Sequence, residues 1–219
     1  GDVGSVATQP AEVPTREAIV VSAPLTPLPE GEPEVVKSLQ GHKGRVHRVQ
    51  FAPSGNTLAS SSDLDRTLKV WDVATGTLRF SVNVGLVYAM DIDSSGKYVA
   101  IVPQRVPQIY DLQSGQLIME FPAFEDYPYS VAFASSGKYL AIHGRNGTGI
   151  KVYDISQLEQ RTIRIAAEFE GGASAAVSAL AFLPDGEHLL ASAREAPFGI
   201  RLLHVPSSGI VRHYLNEAG

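Results

Sequence analysis

Residues 41–76 read GHKGRVHRVQFAPSGNTLASSSDLDRTLKVWDVATG, and this stretch decides the fold. It begins with Gly41-His42, has a serine-glycine pair that ends at Gly55, and closes shortly after a tryptophan-aspartate pair that begins at Trp71. Apolar residues alternate with polar ones just before the glycine, which is the pattern of a short β-strand leading into a tight turn. The stretch therefore predicts a β-meander and not a helical unit.

The turn signal recurs along the whole chain. A Ser-Gly or Asp-Gly pair ends at Gly55, Gly96, Gly137 and Gly186, so successive turns are 41, 41 and 49 residues apart. Each pair lies between two apolar segments, and further apolar segments follow before the next pair. Equal periods of this length are typical of folds built from repeated supersecondary units. The sequence therefore predicts four successive units of four strands each.

The strands of these units can be placed from the same pattern. First strands are predicted around Val46–Phe51, Val87–Ile92, 131–133 and Val177–Phe182. Second strands are predicted at 57–60, 98–102, 139–143 and 188–192. Third strands are predicted at 68–72, 108–111, 150–154 and 200–204. Fourth strands are predicted near 78–82, 117–121 and 210–215.

The order of Gly-His, Ser-Gly and Trp-Asp in residues 41–76 resembles one unit of the WD-repeat β-propeller family, in which about 40 residues form a four-stranded blade. The later units match less well, because Tyr110, Tyr153 and Leu203 stand where the tryptophan would be. The resemblance implies an all-β propeller with four consecutive four-stranded blades. Their expected bounds are about 41–82, 83–121, 122–166 and 167–219.

One further strand is predicted at 34–39, directly before the first unit. In the family this is the position of the outer strand of the preceding blade. Four complete blades leave no place for a seventeenth strand, so we expect the chain to be part of a larger ring of seven or eight blades. The other blades would come from the same parent chain or from another copy. Residues 1–33 are rich in Pro and Glu and are predicted to be a linker with one candidate strand near 16–22.

The resemblance also implies a buried hydrogen-bond network in the first blade. Its members are His42, Ser60, Trp71 and an aspartate of the turn after the second strand, assigned to Asp65 with Asp63 as the competing candidate. Serine, histidine and aspartate also form catalytic triads, but no G-x-S-x-G nucleophile motif occurs in the sequence. We therefore interpret these residues as structural.

Propellers of this family commonly recruit partners on one face, formed by the loops before the first strands and the turns after the second strands. The residues beside the first apolar position of each first strand should point there. The candidates for partner binding are Arg45, His47, Leu64, Leu86, Tyr88, Tyr127 and Tyr129. Tyrosine and arginine are frequent in binding hot spots, although some of these tyrosines could pack between blades instead. Lys43, Arg45 and Arg48 add positive charge, which favours an acidic or phosphorylated peptide.

Composition narrows the classes of function. The formal charge of −5 and the pI of about 5.7 disfavour a general nucleic-acid binder. The absence of cysteine excludes disulfides, thiolate metal sites and a cysteine nucleophile. No histidine pair has further metal ligands at a recognisable spacing, no cofactor motif is present, and no apolar run reaches the roughly 20 residues of a membrane span. The sequence thus indicates no metal, no cofactor and no membrane span.

The leading hypothesis is a non-catalytic protein–protein interaction scaffold or regulatory propeller. One alternative is an enzyme or a small-ligand or metal-binding propeller, for which Asp91 and Asp93 are the only paired carboxylates on a first strand. Another alternative is an architectural subunit that completes a shared ring. These three remain open at the level of the sequence because a fold does not by itself determine a function.

Overall fold

The computed structural model describes residues 37–125, 127–144, 149–169, 177–193 and 199–215. Within these ranges the chain forms sixteen β-strands and one short 3₁₀ helix. The linker predicted at 1–33 and the candidate strand near 16–22 lie outside the described residues. Of the strand predicted at 34–39, residues 37–39 are described and are not in a strand. None of the described helical residues form a segment long and apolar enough to cross a membrane.

The strands form four antiparallel sheets of four consecutive strands each. The first sheet consists of β1 (Val46–Phe51), β2 (Thr57–Ser62), β3 (Thr67–Asp72) and β4 (Thr77–Asn83). The second consists of β5 (Val87–Ile92), β6 (Tyr98–Pro103), β7 (Gln108–Asp111) and β8 (Leu117–Glu120). The all-β class and the four-stranded units expected from the sequence are confirmed.

The third and fourth sheets repeat this order. The third consists of β9 (Pro128–Phe133), β10 (Tyr139–Gly144), β11 (Ile150–Asp154) and β12 (Arg164–Phe169). The fourth consists of β13 (Val177–Phe182), β14 (His188–Ala193), β15 (Gly199–His204) and β16 (Gly209–Leu215). The 3₁₀ helix Leu158–Gln160 lies between β11 and β12. First strands of successive sheets contact one another, β1 with β5, β5 with β9 and β9 with β13, as in the blades of a propeller.

The core lies between the sheets, which explains why the second strand of the second sheet, β6, is almost entirely apolar. In β6, Val99 and Ile101 belong to the cluster shared with the first sheet. The alternate residues Ala100 and Val102 belong to the cluster shared with the third sheet. Because successive side chains of a strand point to opposite faces, a strand buried on both faces needs a continuous apolar run.

Polar contacts also join the sheets at the turns after the first strands. The Ser94 hydroxyl donates to the carbonyl of Ser135 at 2.8 Å, and the Ser135 hydroxyl donates to the carbonyl of Pro184 at 2.9 Å. The opposite side of the molecule carries the loops before the first strands and the turns after the second strands, and it is called the loop face below.

Candidate interaction face

The structure places His42, Ser60, Asp65 and Trp71 in one hydrogen-bonded chain. His42 Nδ1 lies 2.9 Å from Asp65 Oδ2, and His42 Nε2 lies 2.8 Å from Ser60 Oγ. The indole N–H of Trp71 donates to Ser60 Oγ at 2.7 Å. A carboxylate only accepts hydrogen bonds, so His42 Nδ1 carries a proton and donates to Asp65. Ser60 is buried and holds both His42 and Trp71, so this arrangement fixes the position of the turn.

Asp65 is the aspartate of this network. It also accepts hydrogen bonds from the backbone N–H of Lys43 at 2.8 Å and from the N–H and hydroxyl of Thr67 at 3.1 and 2.8 Å. Burial alone would raise the pKa of Asp65, but these donors together with His42 lower it well below its usual value. Asp63 instead accepts from Arg45, at 3.1 Å from Nε and 2.8 Å from the terminal nitrogen. Both carboxylates therefore fix the turn between β2 and β3.

The fixed turn holds Leu64 out on the loop face. Leu64 is 71% exposed, the largest exposure among the large hydrophobic residues that the structure describes. Its side chain lies across the backbone of Gly44, where an added Cβ would come within 2.2 Å of Leu64 Cβ. Gly44 therefore permits the close approach of the two loops, and Leu64 is presented by a rigid support.

Each of the first three sheets has a β-bulge at the start of its first strand. The register shifts between Val46 and Arg48 and between Val87 and Ala89, so His47 and Tyr88 are the extra residues. In the third sheet the pairing moves from Ser130 to Pro128, so Tyr129 is the extra residue. Bulges re-aim side chains and are common beside functional sites. His47, Tyr88 and Tyr129 were predicted for this face because they follow the first apolar residue of each strand.

The tyrosines of the loop face form a surface group and are not members of the cores between the sheets. The rings of Tyr88 and Tyr127 meet edge to face, with centroids 5.7 Å apart. Tyr127 and Tyr129 are both exposed, whereas Tyr88 and Leu86 are half-buried. Aromatic side chains with an apolar body and a polar tip are well suited to interfaces.

The two arginines predicted to supply positive charge are used within the protein. Arg45 pairs with Asp63, as described above. Arg48 donates to the carbonyl of Tyr88 from Nε at 3.0 Å and from a terminal nitrogen at 2.7 Å, and so joins β1 to β5. The side chain of Arg48 therefore links two first strands.

Sequence reasoning missed Arg105, which lies 41 residues after Leu64 in the turn after β6. Arg105 is exposed, and its guanidinium lies 5.3 Å above the ring centroid of Tyr127. Adding the 41-residue repeat period to the position of Leu64 gives position 105, so the sequence did contain a signal for this residue.

The paired carboxylates of the enzyme alternative are engaged by backbone groups. Asp91 Oδ2 accepts from the N–H of Phe133 in β9 at 2.7 Å, and Oδ1 accepts from the N–H of Ile92 at 2.9 Å. Asp93 accepts from the N–H of Tyr98 at 2.6 Å and of Ser95 at 3.1 Å. Burial raises the pKa of Asp91. In the part of the chain that the structure describes, no group of three or more His, Asp or Glu side chains is arranged to hold a metal ion.

Comparison with known proteins agrees with this geometry. The family model described as "WD domain, G-beta repeat" matches residues 33–72. "Nuclear distribution protein PAC1" of Coccidioides posadasii is 29% identical over 74% of this chain and 39% of its own length. "Set1 complex component swd2" of Schizosaccharomyces pombe is 25% identical over 69% of this chain and 45% of its own length.

Solved structures show the same fold. The β-propeller domain of Cps50 (Swd1) from Myceliophthora thermophila superimposes with a TM-score of 0.70 over 84% of this chain and 59% of that one, at 17% identity. The hydrazine synthase of Kuenenia stuttgartiensis gives a TM-score of 0.64 over 77% of this chain and 48% of that one, also at 17% identity. The fold and its first blade thus define a β-propeller protein. Residues 33–72 match the WD-repeat family model, and the chain resembles WD-repeat proteins along most of its length. It spans about two fifths to three fifths of the length of these relatives.

Proposed function

We propose that the protein is a non-catalytic interaction module that binds a protein or peptide partner on its loop face. The surface is formed by Leu64, Arg105, Tyr127, Tyr129 and the neighbouring residues Leu86 and Tyr88. The observation that carries this proposal is the group of exposed and half-buried tyrosines beside the β-bulges of β5 and β9. A rigid surface of this kind binds at a low cost in ordering entropy.

The contacts of the catalytic candidates support a non-catalytic role. The hydroxyl of Ser60 is buried and hydrogen-bonded on both sides, and the carboxylates of Asp91 and Asp93 accept backbone hydrogen bonds. "Small ribosomal subunit protein RACK1z" of rice is 27% identical over 54% of this chain. Its name and that of the Set1 complex component place those two relatives in assemblies, which is consistent with a partner-binding role here.

A peptide selection tests the proposal. Peptides from a random display library are selected on the full chain, and their affinities are measured by fluorescence anisotropy. Replacing Tyr88, Tyr127 and Tyr129 together by alanine should weaken binding by about 100-fold or more, because truncating a hot-spot aromatic costs about 2 kcal/mol or more.

The matched control replaces Leu78 and Leu117 by alanine. Both are exposed apolar residues, but they lie on the outer strands β4 and β8, away from the loop face. This variant should bind the selected peptides as the unmodified chain does. Equal affinities of the tyrosine variant and the unmodified chain would refute the proposed face, and so would failure to select any peptide.

A second proposal is that the sheets are part of a larger ring, with further blades on both open sides. On the first sheet Val49 and Phe51 are 59% and 57% exposed, whereas Val131 and Phe133, at the same positions of the third sheet, are 7% and 8% exposed. The difference arises because the second sheet covers Val131 and Phe133, whereas no described sheet precedes the first. On the fourth sheet Ile200 is likewise exposed. Open apolar faces of this kind favour association.

The contacts of residues 37–39 support this second proposal. In the second sheet, the glycine turn at Gly115 packs on Phe80 of β4, which is the outer strand of the first sheet. In the first sheet, the equivalent turn at Gly76 packs on Lys37 and Leu39. The Lys37 ammonium also donates to the carbonyls of Val73 and Ala74. The equivalence of these contacts with those of Gly115 and Phe80 supports a preceding blade whose outer strand would include residues 37–39.

A further inference from the structure

Of the three arginines discussed for the loop face, Arg105 is the one whose guanidinium N–H groups remain available to a partner. The guanidinium of Arg45 is paired with Asp63, and that of Arg48 is bound to a backbone carbonyl of β5. Within the described residues, the guanidinium of Arg105 contacts the ring of Tyr127 and forms neither an ion pair nor a hydrogen bond. Its N–H groups are therefore open donors.

Arg105 is held in place by its backbone and by an aromatic ring. Its carbonyl accepts from the N–H of Phe124 at 2.9 Å, which ties the turn after β6 to the loop before β9. The preceding residue, Gln104, has a φ of 55°, so the turn has a left-handed backbone and a defined shape. Tyr127, below the guanidinium, contacts Tyr88 in turn. A planar guanidinium stacked on a ring is pre-organised and loses little freedom on binding.

Arg105 borders a hollow of about 490 Å³ on the loop face. Val84, Pro103 and Val106 supply apolar lining, and Gln108 and Glu120 supply polar lining. The Gln108 side chain donates to Glu120 Oε1 at 2.8 Å and accepts from the hydroxyl of Tyr110 at 3.1 Å. Gln108 and Glu120 are thus hydrogen-bonded to each other, and Arg105 is the positively charged group among the residues that line the hollow.

We propose that this hollow binds an aspartate or glutamate side chain of the partner, with its carboxylate accepting two hydrogen bonds from Arg105. The proposal rests on the loop face being the binding surface. A guanidinium matches a carboxylate in a two-point geometry, and the apolar lining can cover the methylene groups of the acidic residue. The carboxylate of Glu120 lines the same hollow, so a singly charged carboxylate is favoured over a phosphate with up to two charges.

Parallel peptide selections test this assignment. One random peptide library is selected on the unmodified full chain and on the Arg105→Gln variant, whose exposed substitution should leave folding unchanged. Peptides from the first selection should carry Asp or Glu at one fixed position. Changing that residue to Asn or Gln should weaken binding to the unmodified chain about 10- to 100-fold, as expected for a charged hydrogen bond. The same change should have no effect on binding to R105Q.

Three results distinguish this inference from the proposed function. In the first, the selected peptides lose affinity when Tyr88 and Tyr129 are replaced but carry no fixed acidic residue, or the effect of that residue persists in R105Q. This result would overturn the role of Arg105 without contradicting the loop face as the binding surface. Tighter binding of a peptide with phosphoserine at the acidic position would overturn the assignment to a carboxylate. Selection of no peptide, or of peptides indifferent to the tyrosines, would contradict both proposals. Arg105→Lys, which keeps the charge without the planar fork, should restore part of the affinity lost in R105Q.

Discussion

The indole of Trp71 shows how one buried polar atom constrains a whole blade. Trp71 is almost fully buried, and its N–H has Ser60 as its acceptor. Ser60 in turn contacts His42, and His42 contacts Asp65 in the turn that carries Leu64. A buried polar group without a partner is costly, so each member of this chain depends on the next. The core of the first sheet and the shape of the loop face are thereby linked.

Replacing Ser60 by alanine should test this dependence. The change removes the acceptor of the Trp71 N–H and the partner of His42 Nε2. We expect the free energy of unfolding in urea to fall by about 2 kcal/mol, because buried polar atoms lose their hydrogen bonds. Ser54→Ala, at an exposed serine in the turn after β1, should change it by less than about 0.5 kcal/mol. Equal effects of the two changes would contradict the structural role of the network.

His143 presents the opposite situation, a buried imidazole without hydrogen bonds. It is 1% exposed in β10, and neither ring nitrogen has a partner among the residues that the structure describes. Its strand neighbours Ser130 and Ile150 are uncharged. Burial lowers the pKa of His143 from 6.5 to about 4. The folded protein therefore holds this side chain neutral at pH values where the unfolded chain protonates it.

This difference predicts the direction of a pH effect. Below pH 6.5 the imidazole of His143 binds a proton in the unfolded state, whereas in the folded state it stays neutral down to a pH of about 4. The free energy of unfolding therefore falls as the pH falls from 6.5 to about 4. Between pH 7 and pH 5 the loss should be about 2 kcal/mol. His143→Leu should remove this part of the pH dependence without a loss of stability at pH 7. The measurement is the difference in unfolding free energy between the two proteins at each pH, and a constant difference would disprove the prediction.

At the scale of elements, the turns before the fourth strands join one sheet to the next. Gly115 has a φ of 72°, and a Cβ at this position would lie 2.8 Å from the ring of Phe80 in the first sheet. Gly55 has the same φ, but a Cβ added there would have no atom within 4 Å. The two glycines therefore share the requirement for a left-handed backbone and differ in their contact with a neighbouring sheet.

Alanine at these two glycines should separate the two effects. Gly55→Ala should destabilise the fold by roughly 1–2 kcal/mol through backbone strain alone. Gly115→Ala should cost about 1–3 kcal/mol more, because the methyl group is forced against Phe80. In a Phe80→Ala background this extra cost should shrink, which urea denaturation of the double variant can measure. An equal cost of the two glycine changes would show that the contact between the sheets is not tight.

The sequence predicted the strands wherever the repeat is regular, and failed where the connection is long. Every second and third strand was placed to within two residues, because each follows a turn signal at a regular spacing and contains apolar residues. The bounds of β12 were not predicted, since the connection after Asp154 contains the helix Leu158–Gln160 in place of a Thr-Gly turn. Leu158 is buried in the core between the second and third sheets. Its role depends on a contact with a different sheet, which spacing along the chain does not reveal.

The candidate site was predictable in position and less so in chemistry. The bulged residues His47, Tyr88 and Tyr129 follow from strand alternation and the repeat period. The internal use of Arg48 does not, because its acceptor is a backbone carbonyl 40 residues away in another sheet. The position of Arg105 could have been predicted, because it lies one repeat period after Leu64, but its contact with Tyr127 in the loop before β9 could not.

At the scale of the whole molecule, the exposed faces of the first and fourth sheets predict how the isolated chain behaves. Burying the exposed parts of Val49 and Phe51 would stabilise an assembly by about 1–2 kcal/mol for each side chain. If further blades normally cover these faces, the 219-residue chain should associate with itself in sedimentation velocity, increasingly at higher concentration. Val49→Lys with Phe51→Lys should reduce this association. The control Leu117→Lys, at an exposed position on an outer strand, should leave it unchanged.

A monomer at all concentrations that unfolds cooperatively would show that the four sheets are stable without further blades. Association abolished only when Val49 and Phe51 are charged would instead locate the missing neighbour on the first sheet.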